Sequence, residues 1–274
     1  SYIPQNAICE LTYVHRSTDD VLKALWESVR KLDGRMADLL DSNHYSVKMD
    51  ESIFNKVNDD EIVLCLNYDG LYGINNINKF LQNDNKSKFV KLGMDVYKVN
   101  DRIIFKENER FGDLLYNNLK GKIIDIEDNG ISVKFHIEVE KAFNDLEVED
   151  ANFKLEPSRT KGKSVVSFDV KKFANRDDDD KDSLSIVPFQ IAYAVSIHKA
   201  QGLEYDSVKI VITDEFEELI SHNVFYTAIT RAKNNLKIYW TEKAQRYILE
   251  EMRQMYNKQD ASIIAKKYKL KTYS

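Results

Sequence analysis

The chain has 274 residues, 43% hydrophobic and 31% charged, which is enough for one large domain or two ordinary ones with a sizeable core. Nine glycines and three prolines exclude collagen-like or Pro-rich low-complexity character. The longest apolar runs, such as residues 62–66, are far too short to span a bilayer, so no membrane partner is expected. The net charge of -5 argues against a nucleic-acid binder that works by bulk charge, but it permits a local basic groove. Residues 233–274 alone carry +6, leaving -11 for residues 1–232. That basic tail reads first as a solvated helix.

The chain begins with Ser rather than Met and has no charged-then-apolar start, so it reads as a fragment or processed form without a signal peptide. Residues 7–14 are apolar and β-leaning, and His15 and Arg16 follow at once. Ser17 or Thr18 can cap a helix whose first turn holds Asp19 and Asp20. Val21, Leu22, Leu25, Trp26, Val29 and Leu32 recur at helical spacing, and Gly34 is a natural stop. A second unit repeats the pattern: an apolar strand at 61–66, Gly70 and Gly73, then a helical stripe of Ile74, Ile77 and Leu81. Apolar strands alternating with helices predict an α/β fold with a parallel sheet. Cys9 and Cys65 both fall in such runs, which predicts buried thiols in a reducing cytoplasm rather than a disulfide.

Near residue 93 the character changes. Strands are predicted at 102–105, 122–126 and 131–135, with Asp128-Asn129-Gly130 as a tight hairpin signal. The periodicity of residues 143–163 is weak and assigns no element. We read 96–170 as a small β subdomain inserted into one α/β domain formed by 1–95 and 171–274. The acidic loop at 177–182 lacks the glycine and closing glutamate of a calcium loop, so no metal is expected there. Beyond residue 185 the parallel-sheet character returns, with strands at 208–213 and 236–241, a helix at 221–232, and closing helices at 242–255 and 260–269.

Two patches imitate a nucleoside-triphosphate site. Pro157-Ser158-Arg159-Thr160-Lys161-Gly162-Lys163-Ser164 is close to a phosphate-binding loop, and the strand at 209–213 runs into Asp214-Glu215. A phosphate loop must leave a strand and open a helix so that backbone N–H groups converge on the anion. Here Pro157 replaces the first glycine, and the residues after Ser164 are strand-forming.

More informative is Tyr193-Ala194-Val195-Ser196-Ile197-His198-Lys199-Ala200-Gln201-Gly202-Leu203-Glu204-Tyr205. Ser196 can cap a short helix that Gly202 ends, clustering Ser196, His198, Lys199, Gln201 and Glu204 at a sheet edge. The helix Val224-Phe225-Tyr226-Thr227-Ala228-Ile229-Thr230-Arg231-Ala232-Lys233 follows, with Thr230 and Arg231 in its last turn.

These two stretches resemble motifs V and VI of superfamily-1 DNA helicases in order and spacing. Leu11-Thr12-Tyr13-Val14-His15-Arg16-Ser17 looks like the motif IV stretch that ends in an arginine. Val99-Asn100-Asp101-Arg102 and Tyr116-Asn117-Asn118-Leu119-Lys120-Gly121 look like the start of the small β-barrel inserted in the RecD/Dda-like branch. That branch usually has glycine where this chain has Asn100 and Asn118. Leu203-Glu204 is more UvrD-like.

The resemblance implies a second RecA-like motor domain with an inserted β-barrel-like subdomain, the C-terminal half of an ATP-dependent helicase. It implies that Arg16 and Arg231 neutralise charge on the transferred phosphate, at a sheet edge where α/β ligands usually bind. Gln201 and Gly202 would form the turn coupling nucleotide to DNA, and Glu204 would meet the nucleotide sugar. Ser196, His198 and Lys199 would hold single-stranded DNA. The Walker lysine and the magnesium-binding acid would come from a preceding RecA-like domain. ATP and Mg²⁺ are therefore expected in the full-length enzyme, with neither held tightly by this chain and no hydrolysis by this chain alone. The alternative is a stand-alone nucleic-acid-binding or adaptor module.

Overall fold

The computed structural model describes residues 17–106, 109–172, 183–214 and 220–251. The strand expected at 7–14, Cys9, Arg16, the acidic loop and the helix at 260–269 lie outside the described residues. In chain order the elements are α1 (Asp20–Lys31), α2 (Met36–Ser42), β1 (Ser46–Lys48), β2 (Glu61–Cys65), α3 (Ile74–Asp84), β3 (Phe89–Leu92) and β4 (Asp95–Lys98). Then come β5 (Arg102–Phe105), β6 (Lys120–Asp128), β7 (Ser132–Val139), β8 (Lys154–Glu156), β9 (Ser164–Lys171), β10 (Phe189–Ile191) and β11 (Ala194–Ser196). Last are β12 (Tyr205–Ile212), α4 (His222–Ile229), β13 (Ala232–Trp240) and α5 (Glu242–Arg246). No described helix is long and apolar enough to cross a membrane. The chain divides into two compact units, 1–61 with 204–274, and 62–203.

In the first unit β1, β13 and β12 run parallel, with Ser46 opposite Ile238 and Val208 opposite Leu236. This is the α/β character expected from the apolar strands. Leu22, Leu25, Trp26 and Val29 form the buried stripe of α1, while Val21 turns outward. The cap is Asp19 rather than Ser17 or Thr18: its carboxylate accepts from the N–H groups of Val21 and Leu22. The Ser17 hydroxyl is engaged instead with the carbonyl of Lys233. Leu32, at φ 52°, ends the helix two residues before Gly34, its amide bonding Val29. Burial of the Leu32 side chain offsets the steric cost of that left-handed backbone. Lys209 and Glu61 form a buried ion pair at 3.3 Å. The ammonium also donates to the carbonyls of Ile53 and Asn55, and Ser207 Oγ donates to Glu61. Burial lowers the Lys209 ammonium below its ordinary range, and Glu61 partly restores it.

In the second unit β2 and β11 form a parallel pair, with Val63 opposite Ala194. Cys65 is fully buried, and burial pushes its thiol well above the usual range. On α3, Ile74 and Ile77 are buried as their spacing predicts, but Gln82 replaces Leu81 as the third inward residue. The α3 start requires glycine at position 73, because a Cβ there would sit 2.3 Å from the Asp69 carbonyl oxygen.

The same unit contains a six-stranded antiparallel sheet, ordered β10-β5-β6-β7-β9-β8. Alternate residues of β7 are buried, so one face packs an aromatic core. Phe135 and Phe189 meet edge-on at 5.1 Å, and Tyr97 from the β3–β4 hairpin meets Phe189 at 5.5 Å. The hairpin at 128–130 forms where Asp128-Asn129-Gly130 signalled it, with Asn129 N bonded to Ser132 O. The weakly periodic stretch supplies the edge strand β8. Strand β10, from beyond residue 171, joins this antiparallel sheet through β5. Lys163 precedes β9, so the phosphate-loop imitation opens a strand and not a helix.

Asp101 is fully buried and gathers this unit's polar contacts. Its carboxylate accepts from Gln82 Nε2 (2.6 Å), Asn85 Nδ2 (2.9 Å), Lys98 N (2.8 Å) and Tyr193 OH (2.9 Å). Burial raises its pKa above the ordinary carboxylate value, and the four donors pull it partly back. This network is why Gln82 turns inward.

Candidate functional site

In the first unit the site is built on the end of α4. Ser221 caps the start, its Oγ accepting from Val224 N at 3.4 Å. At the other end, four carbonyls without helical partners must be satisfied. Tyr226 O and Ala228 O accept from the Thr230 and Arg231 amides, and Ile229 O accepts from Trp26 Nε1 at 3.1 Å. Thr227 O accepts from Arg231 Nε at 2.9 Å and from Thr230 Oγ1 at 3.0 Å. Arg231 Nη2 donates to Thr230 Oγ1 at 3.0 Å. The guanidinium is therefore 7% exposed and held at the negative end of the α4 dipole, where a cation is favoured.

Tyr205 N donates to Arg231 O at 2.9 Å, which places Glu204 and Arg231 beside each other where β12 and β13 begin. Glu204 pairs with Lys233 at 3.5 Å. Ser17, the residue after Arg16, is tied to Lys233 O at the same place. These residues occupy the amino ends of the parallel strands. The expectation from sheet-edge ligand binding therefore needs correction for Arg231, since that rule concerns carboxyl ends.

In the second unit, Ser196 is the last residue of β11 and is buried. Its Oγ accepts from Lys199 N at 3.2 Å and its carbonyl accepts from Ala200 N at 3.1 Å. The short helix expected here does not form. Gln201 N bonds His198 O and Leu203 N bonds Ala200 O, giving consecutive turns. Eight residues between strands do not repay helix nucleation. Gly202 closes the turns at φ 86°, a conformation that favours glycine. His198, Gln201 and Gly202 are exposed, and Lys199 is half-buried with Nζ donating to Gln190 Oε1 at 2.6 Å.

The strand carrying this turn is pinned from α3. Asn78 Oδ1 accepts from Tyr193 N (2.9 Å) and Ala194 N (2.8 Å), and its Nδ2 donates to Ala194 O (2.9 Å). Tyr193 in turn reaches Asp101. The sequence assigns neither Asp101 nor Gln190 a role. A buried-type carboxylate within Val99-Asn100-Asp101-Arg102 was the available signal for the first. Nothing local signals the second.

Among the described residues no group of three His, Cys, Asp or Glu side chains could hold a metal ion. Each unit taken by itself offers donors that suit an anion: a planar guanidinium at α4 in the first, and a lysine, an imidazole and a hydroxyl at the β11 turn in the second.

Residues 191–239, which include every candidate residue except Arg16, match the UvrD-like helicase C-terminal domain family. An uncharacterised protein of Methanocaldococcus jannaschii is 25% identical over 228 residues, 80% of this chain and 18% of that protein. The RecBCD enzyme subunit RecD of Buchnera aphidicola subsp. Acyrthosiphon pisum is 24% identical over 186 residues, 66% of this chain and 25% of that subunit. The chain thus spans a quarter or less of the length of these relatives. In fold it is similar to the Pif1 helicase from Candida albicans, with a TM-score of 0.50, 16% identity, and coverage of 89% of this chain and 60% of that one. The two sequence matches with helicases support a superfamily-1 helicase C-terminal domain, and the structural likeness supports its fold.

Proposed function

We propose that this chain is the C-terminal motor half of an ATP-dependent DNA helicase. Residues 1–95 with 171–274 form its RecA-like domain, and 96–170 form the inserted β-barrel-like subdomain, to which 171–274 lends the edge strand β10. The observation that carries the reading is the gathering of Ser17, Glu204, Arg231 and Lys233 at the amino ends of β12 and β13, inside or bordering the matched segment. A guanidinium seated there on the α4 carbonyls is preorganised to meet phosphate oxygens presented by a preceding domain. Arg231 and Arg16 neutralise the charge of the transferred phosphate. Glu204 faces the nucleotide, and Gln201 and Gly202 couple it to the strand. Ser196, His198 and Lys199 grip single-stranded DNA without reading its sequence. ATP and Mg²⁺ bind in the complete enzyme, whose preceding domain supplies the Walker lysine and magnesium-binding acid. This chain alone does not hydrolyse ATP.

The test is steady-state ATPase of the full-length protein with single-stranded DNA. Arg231→Ala leaves ATP affinity modestly changed and lowers kcat by about 10³-fold or more, the scale of an arginine finger. A kcat within a few-fold of wild type would remove Arg231 from the reaction.

A further inference from the structure

Strands β5 and β10 bring a second lysine to Lys199. Their antiparallel register sets Gln190 opposite Ile104 and Phe189 opposite Phe105, and Lys106 N bonds Pro188 O. Side chains alternate along a strand, so Phe105 and Phe189 face the aromatic core while Lys106 and Gln190 share the other face as diagonal neighbours. Diagonal neighbours across an antiparallel pair lie within reach of long side chains, on the order of 7–8 Å apart. Gln190 Oε1 takes a hydrogen bond from Lys199 Nζ at 2.6 Å, which draws that ammonium to the same face. Gln190 is a neutral partner and occupies one of the three Lys199 donors. Among the described residues no carboxylate lies within ion-pair distance of Lys199.

Lys106 senses the Lys199 charge. Burial lowers the Lys106 ammonium below its ordinary value, and the Lys199 charge lowers it further. The exposed Asp95 carboxylate restores part of the loss. Two like charges converging on a neutral amide, from elements more than 90 residues apart in sequence, repel each other. An anion seated between them reverses that sign.

We propose that Lys106, Gln190 and Lys199 form a grip for one phosphate of a single-stranded DNA backbone. Lys106 and Gln190 are the residues that a reading confined to the Ser196–Lys199 turn leaves out. Gln190 orients Lys199 through its side-chain oxygen, and Lys106 adds the second cation. The proposal rests on the helicase reading above for the identity of the ligand, while the cluster itself rests on the β5–β10 register.

The experiment measures binding of a fluorescein-labelled oligothymidylate to the full chain by anisotropy, at several salt concentrations, for wild type, Lys106→Gln and Lys106→Arg. One phosphate contact to a single strand contributes about 0.7 to the slope of log affinity against log salt. Lys106→Gln therefore reduces that slope by about 0.7, weakening binding about eightfold at ~50 mM salt and about threefold at ~200 mM. Lys106→Arg keeps the wild-type slope, which separates charge from folding. Asp95→Asn, which removes the opposing carboxylate, tightens binding. Wild-type binding with an unchanged slope in Lys106→Gln overturns the grip and leaves the helicase reading standing. Absence of wild-type binding to the oligothymidylate overturns the grip and leaves the ATPase test of the helicase reading intact. A loss in Lys106→Gln shared equally by Lys106→Arg assigns Lys106 to structure and overturns the grip.

Discussion

Asp101→Asn tests whether the polar hub of the second unit holds the β11 turn in place. The carboxylate presents Oδ2 to Gln82 Nε2 and Lys98 N, and Oδ1 to Asn85 Nδ2 and Tyr193 OH. An asparagine must point its NH₂ at one of these pairs. Lys98 N is a backbone donor and cannot turn away, so the amide nitrogen takes the Asn85 and Tyr193 side. The tyrosine hydroxyl can rotate and become an acceptor. Asn85 cannot, because the same NH₂ also donates to Val99 O while its Oδ1 accepts from Ser87 N. One buried donor is left facing another. That costs about 1–3 kcal/mol, reduced by whatever is gained in removing a buried charge. At roughly 2–4 °C per kcal/mol the melting temperature falls by about 2–10 °C. Tyr193 loses its anchor, so amide exchange at Tyr193 and Ala194, both bonded to Asn78, quickens more than exchange in β12. A melting temperature within about 1 °C of wild type, with unchanged exchange at Tyr193, would refute the account of Asp101 as the hub.

Three further outcomes follow from the packing. Lys209→Met strands Glu61 without its cation and costs about 3–5 kcal/mol in urea denaturation, whereas Lys209→Met with Glu61→Gln recovers most of it. Equal losses in the single and double variants would mean that the pair is not ionic. Asn118 holds φ 70°, so Asn118→Ala costs about 1–2 kcal/mol while Asn118→Gly stays within about 0.5 kcal/mol of wild type. Arg30 and Lys31 on α1 lower the Glu27 carboxyl from 4.5 to about 2. A depressed carboxyl stabilises above its unfolded value. The advantage of wild type over Glu27→Gln is thus complete above about pH 4.5 and gone once pH falls through about 2. Being half in solvent, the group contributes no more than about 1 kcal/mol. A constant difference across that window would exclude the Arg30 and Lys31 pairing.

Local pattern was enough wherever the physics was local. The inward stripe of α1 from Leu22 onward, the apolar β2 and the hairpin at Asp128 each depend on neighbours within a few residues, and each forms as read, Val21 alone turning outward. The misreadings share a different origin. Ser17 is a competent cap by type, but its hydroxyl is taken by Lys233, 216 residues away, and Asp19 caps instead. Leu81 has the right spacing, yet Gln82 turns inward because Asp101 lies 19 residues on to receive it. The turn after Ser196 has capping chemistry at both ends but too few residues between them to nucleate a helix. Helix start and stop signals describe possibilities, and long-range partners decide among them.

Asn100 and Asn118 show what kind of information does carry across. Both stand where the RecD/Dda-like branch usually places glycine, and both adopt left-handed backbone, at φ 72° and 70°. Asparagine is among the residues that tolerate this conformation, so the substitutions alter the side chain and retain the bend. At Asn100 the bend sets its N–H on Ile123 O at 2.7 Å and leaves Asp101 turned into the core. From there Asp101 holds Tyr193, which leads into β11 and the Ser196 turn. The two departures from the motif thus keep the backbone geometry on which the candidate phosphate contacts depend. The placing of Lys106 beside Gln190, by contrast, arises from residues 84 apart in sequence and leaves no trace in either segment alone. A motif encodes the turn, and only the folded sheet brings the second cation to it.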